Sequence, residues 1–314
     1  MRAIAKAQTL VVSLISASVL VACGGGGGGG GADDPGFPSV NTVSPQPLDD
    51  LRNGVTMEAY GFAQGVKYDA TTGQNRDFKA NFNQPRVRRA TAQSGDDTYL
   101  FHFSKANIRV TVTLPESGTG TVTGITNRDT RVRFRPVPGS YTYTASGAWS
   151  FDRASRDFSN IMGPYTFGTP TTTAGLQSLG NVTVTYSGAM AGDYRSQNQS
   201  SGVNGDVTMS ATFTPTGEVS TVITGSVTNL NLADVGGGRA LNDLQFSGTG
   251  EGATFEGTIT AQAGPGFSGT DFTNGADGPL VGQFTGPSAE EAGIAFRVLD
   301  GDRAMVGGIV VEQD

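Results

Sequence analysis

The sequence predicts an all-β protein that ends in a small antiparallel barrel of about eight strands, preceded by a further β subdomain. Glycine supplies 47 of the 314 residues, and outside the run Gly24–Gly31 it is still about twice as frequent as the usual ~7%. Threonine, serine, valine and phenylalanine dominate between the glycines, which is typical of short strands separated by turns. Long segments with helical periodicity are absent from the sequence.

The net charge changes sign along the chain, and this change predicts a domain boundary. The net charge is −4, +6 and −11 over residues 32–75, 76–135 and 136–314, respectively. The second change falls at the turn-forming segment Pro136–Gly139. We therefore predict an N-terminal β subdomain over residues 48–138 and a barrel over residues 139–314.

Alternating apolar residues predict six strands in the first subdomain. The alternation is clearest in Tyr99–Phe103, where Tyr99, Phe101 and Phe103 share one face and His102 lies beside Leu100 in the pattern. The predicted strands are Thr56–Phe62, Phe78–Phe82, Thr98–Phe103, Ile108–Leu114, Gly120–Ile125 and Arg131–Arg135.

The last of these strands carries a candidate binding face. Arg131, Arg133 and Arg135 alternate with Val132 and Phe134, so three guanidinium groups line one side of the strand. This face either binds an anionic partner, such as an acidic glycan, a siderophore or a protein surface, or is a solvated face whose cations pair with carboxylates of the barrel. The three arginines are candidate ligand-binding residues on the first interpretation.

Strands joined by short turns predict the barrel. Eight or so such strands in an up-and-down meander bury their edges by closing on themselves. The turn-rich segments Asp152–Gly180 and Gly192–Asp206 are predicted to be loops, where a barrel commonly binds its ligand. The predicted strands are Tyr141–Phe151, Asn181–Ala189, Val207–Phe213, Ser220–Leu230, Leu244–Gly250, Ala253–Gln262, Pro279–Phe284, Ile294–Leu299 and Ala304–Val311.

The residue inventory favours binding over catalysis. His102 is the single histidine and Cys23 the single cysteine, and the sequence has no nucleophile-elbow, metal-spacing or phosphate-loop motif. A carboxylate pair for glycoside hydrolysis is the enzymatic alternative that the sequence leaves open. No cofactor is predicted. Haem is an alternative ligand, and His102, a tyrosine or a methionine would then supply the axial ligand.

The N-terminal segment predicts export and lipidation. Arg2 and Lys6 precede a short apolar run, Leu10–Ala22, which is too short to span a membrane and is typical of a signal peptide over residues 1–22. Leu20–Cys23 resembles the lipobox of bacterial lipoproteins, in which the peptidase cuts before a cysteine whose thiol carries diacylglycerol. An ordinary signal peptide followed by an unrelated cysteine is the alternative.

Residues 23–47 are predicted to be a flexible tether. Gly24–Gly31 cannot bury side chains, and proline-rich linker composition follows as far as Pro47. Gly24 is not the aspartate that commonly retains lipoproteins at an inner membrane, which favours the outer membrane. Without residues 1–22 the chain has a net charge of −9, which argues against a nucleic-acid partner.

The stretch Gly282–Phe296 resembles the C-terminal barrel signature of surface lipoproteins such as transferrin-binding protein B and factor H-binding protein. That signature is a strand ending in Gly-x-Phe, a small turn with Ala-x-Glu, and a second strand after a glycine. Ser288 is expected to cap one helical turn with Glu291, and Gly293 to end it. Glu290 and Glu291 are expected to be capping or solvated acids.

This resemblance implies a function as well as a fold. It implies that the first subdomain is a handle packed on the barrel, and that the protein is a surface-displayed outer-membrane lipoprotein that captures a host or environmental ligand, such as a protein, a glycan or an iron carrier. A structural or carrier lipoprotein that faces the periplasm is the alternative.

Overall fold

A computed structural model of the chain describes residues 44–51, 55–59, 65–69, 71–72, 74–78, 86–91, 97–103, 108–114, 122–126, 131–151, 161–196, 199–233, 239–263 and 272–314. These residues form two antiparallel sheets within one compact unit, Pro38–Asp314. The all-β prediction is confirmed. Cys23 and the predicted signal peptide lie outside the described residues.

The first ten strands form one sheet, which we call the N-terminal sheet. Its strand order is β1-β4-β5-β6-β7-β8-β9-β10-β2-β3. A short 3-10 helix, Leu48–Asp50, precedes it. The strands are β1 (Thr56–Glu58), β2 (Gly65–Asp69), β3 (Gln74–Phe78), β4 (Arg86–Thr91), β5 (Asp97–Phe103), β6 (Ile108–Leu114), β7 (Val122–Thr126), β8 (Arg131–Pro136), β9 (Thr144–Phe151) and β10 (Ile161–Gly168).

One side of the N-terminal sheet buries an aromatic core. Phe101 lies at its centre, with ring centroids 4.7 Å from Phe134 and 5.4 Å from Tyr165. Tyr99, on the same face of β5, packs against Phe167 at 5.1 Å. The alternation of Tyr99 and Phe101 therefore corresponds to a buried sheet face, as the sequence predicted.

The remaining strands form the predicted closed barrel. The order β12-β11-β19-β18-β17-β16-β15-β13 is closed by pairing of β12 with β13, and the two-residue β14 extends from β13. The strands are β11 (Val182–Ser196), β12 (Gln199–Thr216), β13 (Glu218–Leu232), β14 (Arg239–Ala240), β15 (Leu244–Glu251), β16 (Thr254–Ala261), β17 (Asp277–Thr285), β18 (Glu291–Asp300) and β19 (Arg303–Gln313).

Apolar side chains fill the barrel. Phe284 is fully buried, and its ring centroid lies 5.0 Å from that of Phe213 and 5.0 Å from that of Phe255. The Tyr186 hydroxyl donates to the Ala289 carbonyl oxygen at 2.9 Å, at the turn between β17 and β18. The barrel interior is therefore a packed core, so a ligand would bind outside it.

The two sheets meet at a joint of small residues. In the N-terminal sheet the Ser146 hydroxyl donates to Ile294 O of the barrel at 3.1 Å and to Tyr165 O at 2.9 Å. A Cβ atom built on Gly308 of β19 would lie 2.0 Å from the Gly147 nitrogen. The two backbones are thus in direct contact, which only glycine permits at this position.

β9 and β10 both lie in the N-terminal sheet. The sequence assigned β9 to the barrel and the segment that contains β10 to a loop. β9, predicted as the first barrel strand, pairs with β8 and β10 instead. The barrel strands begin at Val182 rather than near residue 139, because β9 continues the ladder of β8 after the turn at Pro136–Gly139. The division of the chain into two domains remains a prediction.

In the part that the structure describes, the two predicted loops are largely regular structure. Asp152–Gly180 includes β10 and a helix, α1 (Thr173–Leu179), whose first turn is capped by the Thr172 hydroxyl at 3.1 Å from the Gly175 nitrogen. Gly192–Asp206 lies mostly within the long hairpin of β11 and β12. The ends of these two strands are polar but pair with each other in continuous register.

Candidate functional site

The structure places all four candidate residues on one face of the N-terminal sheet. His102 projects from β5 on the side opposite the aromatic core, together with Leu100. Leu100 pairs with Thr111 on β6, Thr111 with Ile125 on β7, and Ile125 with Arg131 on β8, so these residues lie on the same face of the sheet. Arg133 and Arg135 follow at alternate positions and share this face. We call it the outer face.

Arg131 and Arg133 are the exposed cations of β8. Val132, between them, and Phe134, which follows Arg133, are fully buried, so the strand alternates between core and solvent. Thr123 is exposed and is the register partner of Arg133. Arg131 and Arg133 are therefore two exposed positions whose Cα atoms lie about 7 Å apart along the strand.

Arg135 connects the two sheets. Its Nε donates to Asp193 Oδ1 of β11 at 3.2 Å, with the two side chains 14% and 10% exposed. A Cβ built on Gly202 would lie 2.0 Å from the Arg135 Cζ, so the guanidinium lies directly against the β12 backbone. Arg135 therefore pairs with a carboxylate of the barrel, which is the alternative interpretation of the arginine face.

His102 is only 3% exposed. Its register partners are Arg86 on β4 and Arg109 on β6. A haem iron would need an accessible ring nitrogen, so this geometry does not support axial ligation by His102.

A cavity of about 230 Å³ lies at the joint. The β8–β9 connection forms one wall, and Leu48, Tyr99, Leu114 and Val310 contribute apolar surface. Burial, and secondarily the charge of Glu312, raises the pKa of Tyr141 in this wall to about 12. The Tyr141 hydroxyl therefore remains neutral at physiological pH.

Glu291 holds the β8–β9 connection on the barrel. Its carboxylate accepts hydrogen bonds from the backbone nitrogens of Thr142 at 2.6 Å and Tyr143 at 3.0 Å. Burial raises the pKa of Glu291, while these hydrogen bonds oppose that shift. The expectation of a solvated acid is wrong for Glu291, which is 4% exposed.

The expected helical turn at Ser288 is also absent. Residues 286–290 form a non-helical turn, in which Glu290 Oε2 accepts from the Ser288 nitrogen at 2.7 Å. Gly286 and Ala289 have positive φ values, which a helical turn does not contain. Glu291 already belongs to β18, so its side chain is directed by strand alternation rather than by a helix cap.

Metal-binding clusters and membrane-spanning helices are both absent from the described residues. Within them, no group of three or more His, Cys, Asp or Glu side chains is arranged to hold a metal ion. No helix in the same residues has the length and apolarity to cross a membrane.

Comparisons with known proteins give structural matches only. No family model matches the sequence, and no curated protein matches it. Among solved structures, a transferrin-binding protein B point mutant from Haemophilus parasuis matches with 11% identity and a TM-score of 0.46, covering 77% of this chain and 58% of that one. Transferrin-binding protein B from Neisseria meningitidis matches with 10% identity and a TM-score of 0.41, covering 76% and 59%.

The N-lobe of lactoferrin-binding protein B from Moraxella bovis matches with 12% identity and a TM-score of 0.35, covering 58% of this chain and 79% of that one. The chain spans somewhat more than half the length of the first solved structures that it matches. These matches confirm the resemblance inferred from Gly282–Phe296: the chain is similar to transferrin-binding protein B and lactoferrin-binding protein B structures.

Proposed function

We propose that this protein is a surface-displayed, outer-membrane lipoprotein that captures a ligand on its exterior. The observation that carries the proposal is the filled barrel joined to a sheet with an exposed cationic face. A packed interior leaves the outer surfaces for recognition. In this proposal, the Leu20–Cys23 motif of the sequence anchors the protein to the membrane, and the glycine tether lets the folded part extend away from the membrane surface.

The position at which the chain enters the fold supports this display. The Gln46 carbonyl oxygen accepts from the Thr169 hydroxyl at 2.8 Å, and the Leu48 nitrogen donates to the Thr142 carbonyl oxygen at 2.8 Å. Both contacts lie at the end of the barrel where β11 begins and β19 ends. The hairpin ends at Ser196 and Asp300 belong to the opposite end, which points away from this entry.

Capture rather than catalysis fits the chemistry of the described surface. The buried carboxylate of Glu291 is engaged by two backbone nitrogens, and Glu290 by a third. Neither therefore has the geometry of a free general acid or base beside an open cleft. Arg131 and Arg133 are exposed on β8, which suits binding.

Lipidation and display are tested separately in cells. Metabolic labelling with a palmitate analogue should label the protein, and Cys23→Ala should abolish the label and release the protein from the membrane fraction. Protease treatment of intact cells should then cleave the wild-type protein. Complete protection of a labelled protein would instead support the periplasm-facing alternative, and an unlabelled protein with another N-terminus would refute lipidation.

A further inference from the structure

Hydroxyl side chains form a continuous row on the outer wall of the barrel. The residues that alternate with them along the strands, such as Ile223 and Ile259, are buried in the barrel core, so the row lies on the outside. Each member is the register partner of the next, across β11, β12, β13, β15 and β16. The members are Thr185, Ser210, Thr224, Ser247 and Thr258.

A second uncharged row lies two residues further along the same five strands. The Thr208 and Ser226 hydroxyls of this row are 3.1 Å apart and share a hydrogen bond. Hydroxyl and amide groups therefore recur about every 4.8 Å across the strands and about every 7 Å along them. The members are Ser187, Thr208, Ser226, Gln245 and Thr260.

A depression of about 600 Å³ lies where the two rows cross β13, β15 and β16. This volume is within the range of small-ligand pockets, about 300–1,000 Å³. Two carboxamides also line the depression, and the Gln262 Nε2 donates to the Thr260 carbonyl oxygen at 3.3 Å. None of the described residues that line it is ionisable. The hydroxyl-bearing residues among them are Thr224, Ser226, Ser247, Thr258 and Thr260.

We propose that this depression binds a neutral oligosaccharide. A hydroxyl and a carboxamide can each donate and accept hydrogen bonds, and a sugar hydroxyl does the same, so the two surfaces match in either direction. A single hydrogen bond between neutral groups contributes little to affinity, so a ligand must make several at once. The five hydroxyls and two carboxamides around one depression provide that number.

The charge around the depression disfavours an anionic ligand. Asp277 on β17 is the register partner of Thr260, and Glu256 is exposed two residues before Thr258 on β16. Within their described bounds, β12, β13, β15, β16 and β17 contain no lysine or arginine. An acidic polysaccharide or a nucleic acid would therefore meet carboxylates without a compensating cation.

The apolar surface near the depression is too small for a protein partner. Protein interfaces depend on several aromatic or large apolar anchors. Val222 is 53% exposed and shares this wall, but it does not line the depression. Phe246 lines the depression but is only 4% exposed. The inference rests on the proposed capture function, to which it adds a ligand class and a surface separate from Arg131 and Arg133.

Binding is tested with neutral hexasaccharides of glucose, mannose, galactose and N-acetylglucosamine. The chain from residue 23, with Cys23→Ser to prevent acylation, is titrated with each probe by isothermal titration calorimetry. At least one should bind with a dissociation constant of about 1 mM or lower. That constant should change less than about twofold between low and high salt, since no charge pair forms. The hexasaccharide of galacturonic acid should bind more weakly than that of galactose.

Two sets of substitutions locate the site. Thr224→Val with Thr258→Val removes two hydroxyls while retaining side-chain shape and strand propensity, and it should weaken the affinity for the tightest probe by about tenfold. Gln245→Ala removes a carboxamide at an exposed position and should weaken it by about fivefold. Circular dichroism and the melting temperature verify that each variant is folded.

The matched control makes the same change elsewhere on the barrel wall. Thr183 and Thr212 share a hydrogen bond of 2.8 Å and do not line the depression. Thr183→Val with Thr212→Val should leave the affinity within about twofold. An equal loss in this control would overturn the proposal, as would no binding to any neutral probe or tighter binding of the galacturonic acid probe. Because this assay needs no cells, its failure is distinct from a failure of lipidation or display.

Discussion

Replacing Gly308 with alanine should separate the two sheets. The added Cβ would lie 2.0 Å from the Gly147 nitrogen, 2.4 Å from the Ser146 hydroxyl and 2.5 Å from the Gly147 Cα, where ordinary contacts begin at 3.4 Å. The β9 backbone cannot move away alone, because β8 and β10 pair with it on both sides. The joint must therefore open by about 1 Å or more, or β19 must bend.

The magnitude follows from two losses. Overpacking of a rigid contact costs about 1–3 kcal/mol, and opening the joint weakens the Ser146 hydrogen bond to Ile294, worth about 1 kcal/mol. A total of about 3 kcal/mol lowers the melting temperature by roughly 5 °C for a protein of this size. Differential scanning calorimetry measures the shift against the wild-type protein.

A second glycine provides the control. Gly301 has a φ of +57°, and no atom lies within 4 Å of a Cβ built there. Asparagine adopts that conformation readily, so Gly301→Asn should change the melting temperature by no more than about 2 °C. If Gly308→Ala changed the melting temperature as little as the Gly301→Asn control does, the direct contact between the two backbones at the joint would be refuted.

Three further predictions concern buried polar groups. Arg135→Gln and Asp193→Asn should each lower the free energy of unfolding by about 1–3 kcal/mol, and a double-mutant cycle in urea should show that the two losses are not additive. Folding raises the pKa of Glu291, so the folded state binds this proton more tightly than the unfolded chain. The associated stability is present below the unfolded pKa and declines as pH rises through the folded pKa, and Glu291→Gln should flatten that part of the wild-type curve measured by urea unfolding. The Tyr165 hydroxyl is fully buried and has no hydrogen-bond partner among the residues that the structure describes. Tyr165→Phe should therefore leave the melting temperature unchanged or raise it, and a clear decrease would contradict this assignment.

Local sequence patterns predicted the strand content and the barrel because both depend on short-range features. Alternation identified β5 and β8, and glycine-containing turns identified hairpins such as the one at Gly301. β10 escaped prediction because Pro164 and two glycines interrupt a strand that is buried on both faces. Such a strand has no alternation, and its proline is typical of loops.

Long-range contacts could not be predicted in the same way. The shared face of Arg131, Arg133 and Arg135 follows from spacing alone, but the pairing of Arg135 with Asp193 joins residues 58 positions apart. The backbone partners of Glu291 are almost 150 positions away. No local signal distinguishes these contacts from solvated charges, because they arise only when β9 docks on the barrel.

The contact of Gly147 with Gly308 has a consequence for how such proteins diversify. A side chain at position 308 would need the space that the Gly147 backbone and the Ser146 hydroxyl occupy, so the residue tolerated at position 308 depends on the surface that β9 presents. A recombination event that exchanged the barrel alone would place against β9 a barrel surface that had not evolved in contact with it. Viable chimaeras should therefore exchange both faces of the joint together, and variation should accumulate instead on strands remote from it, such as β13 and β15.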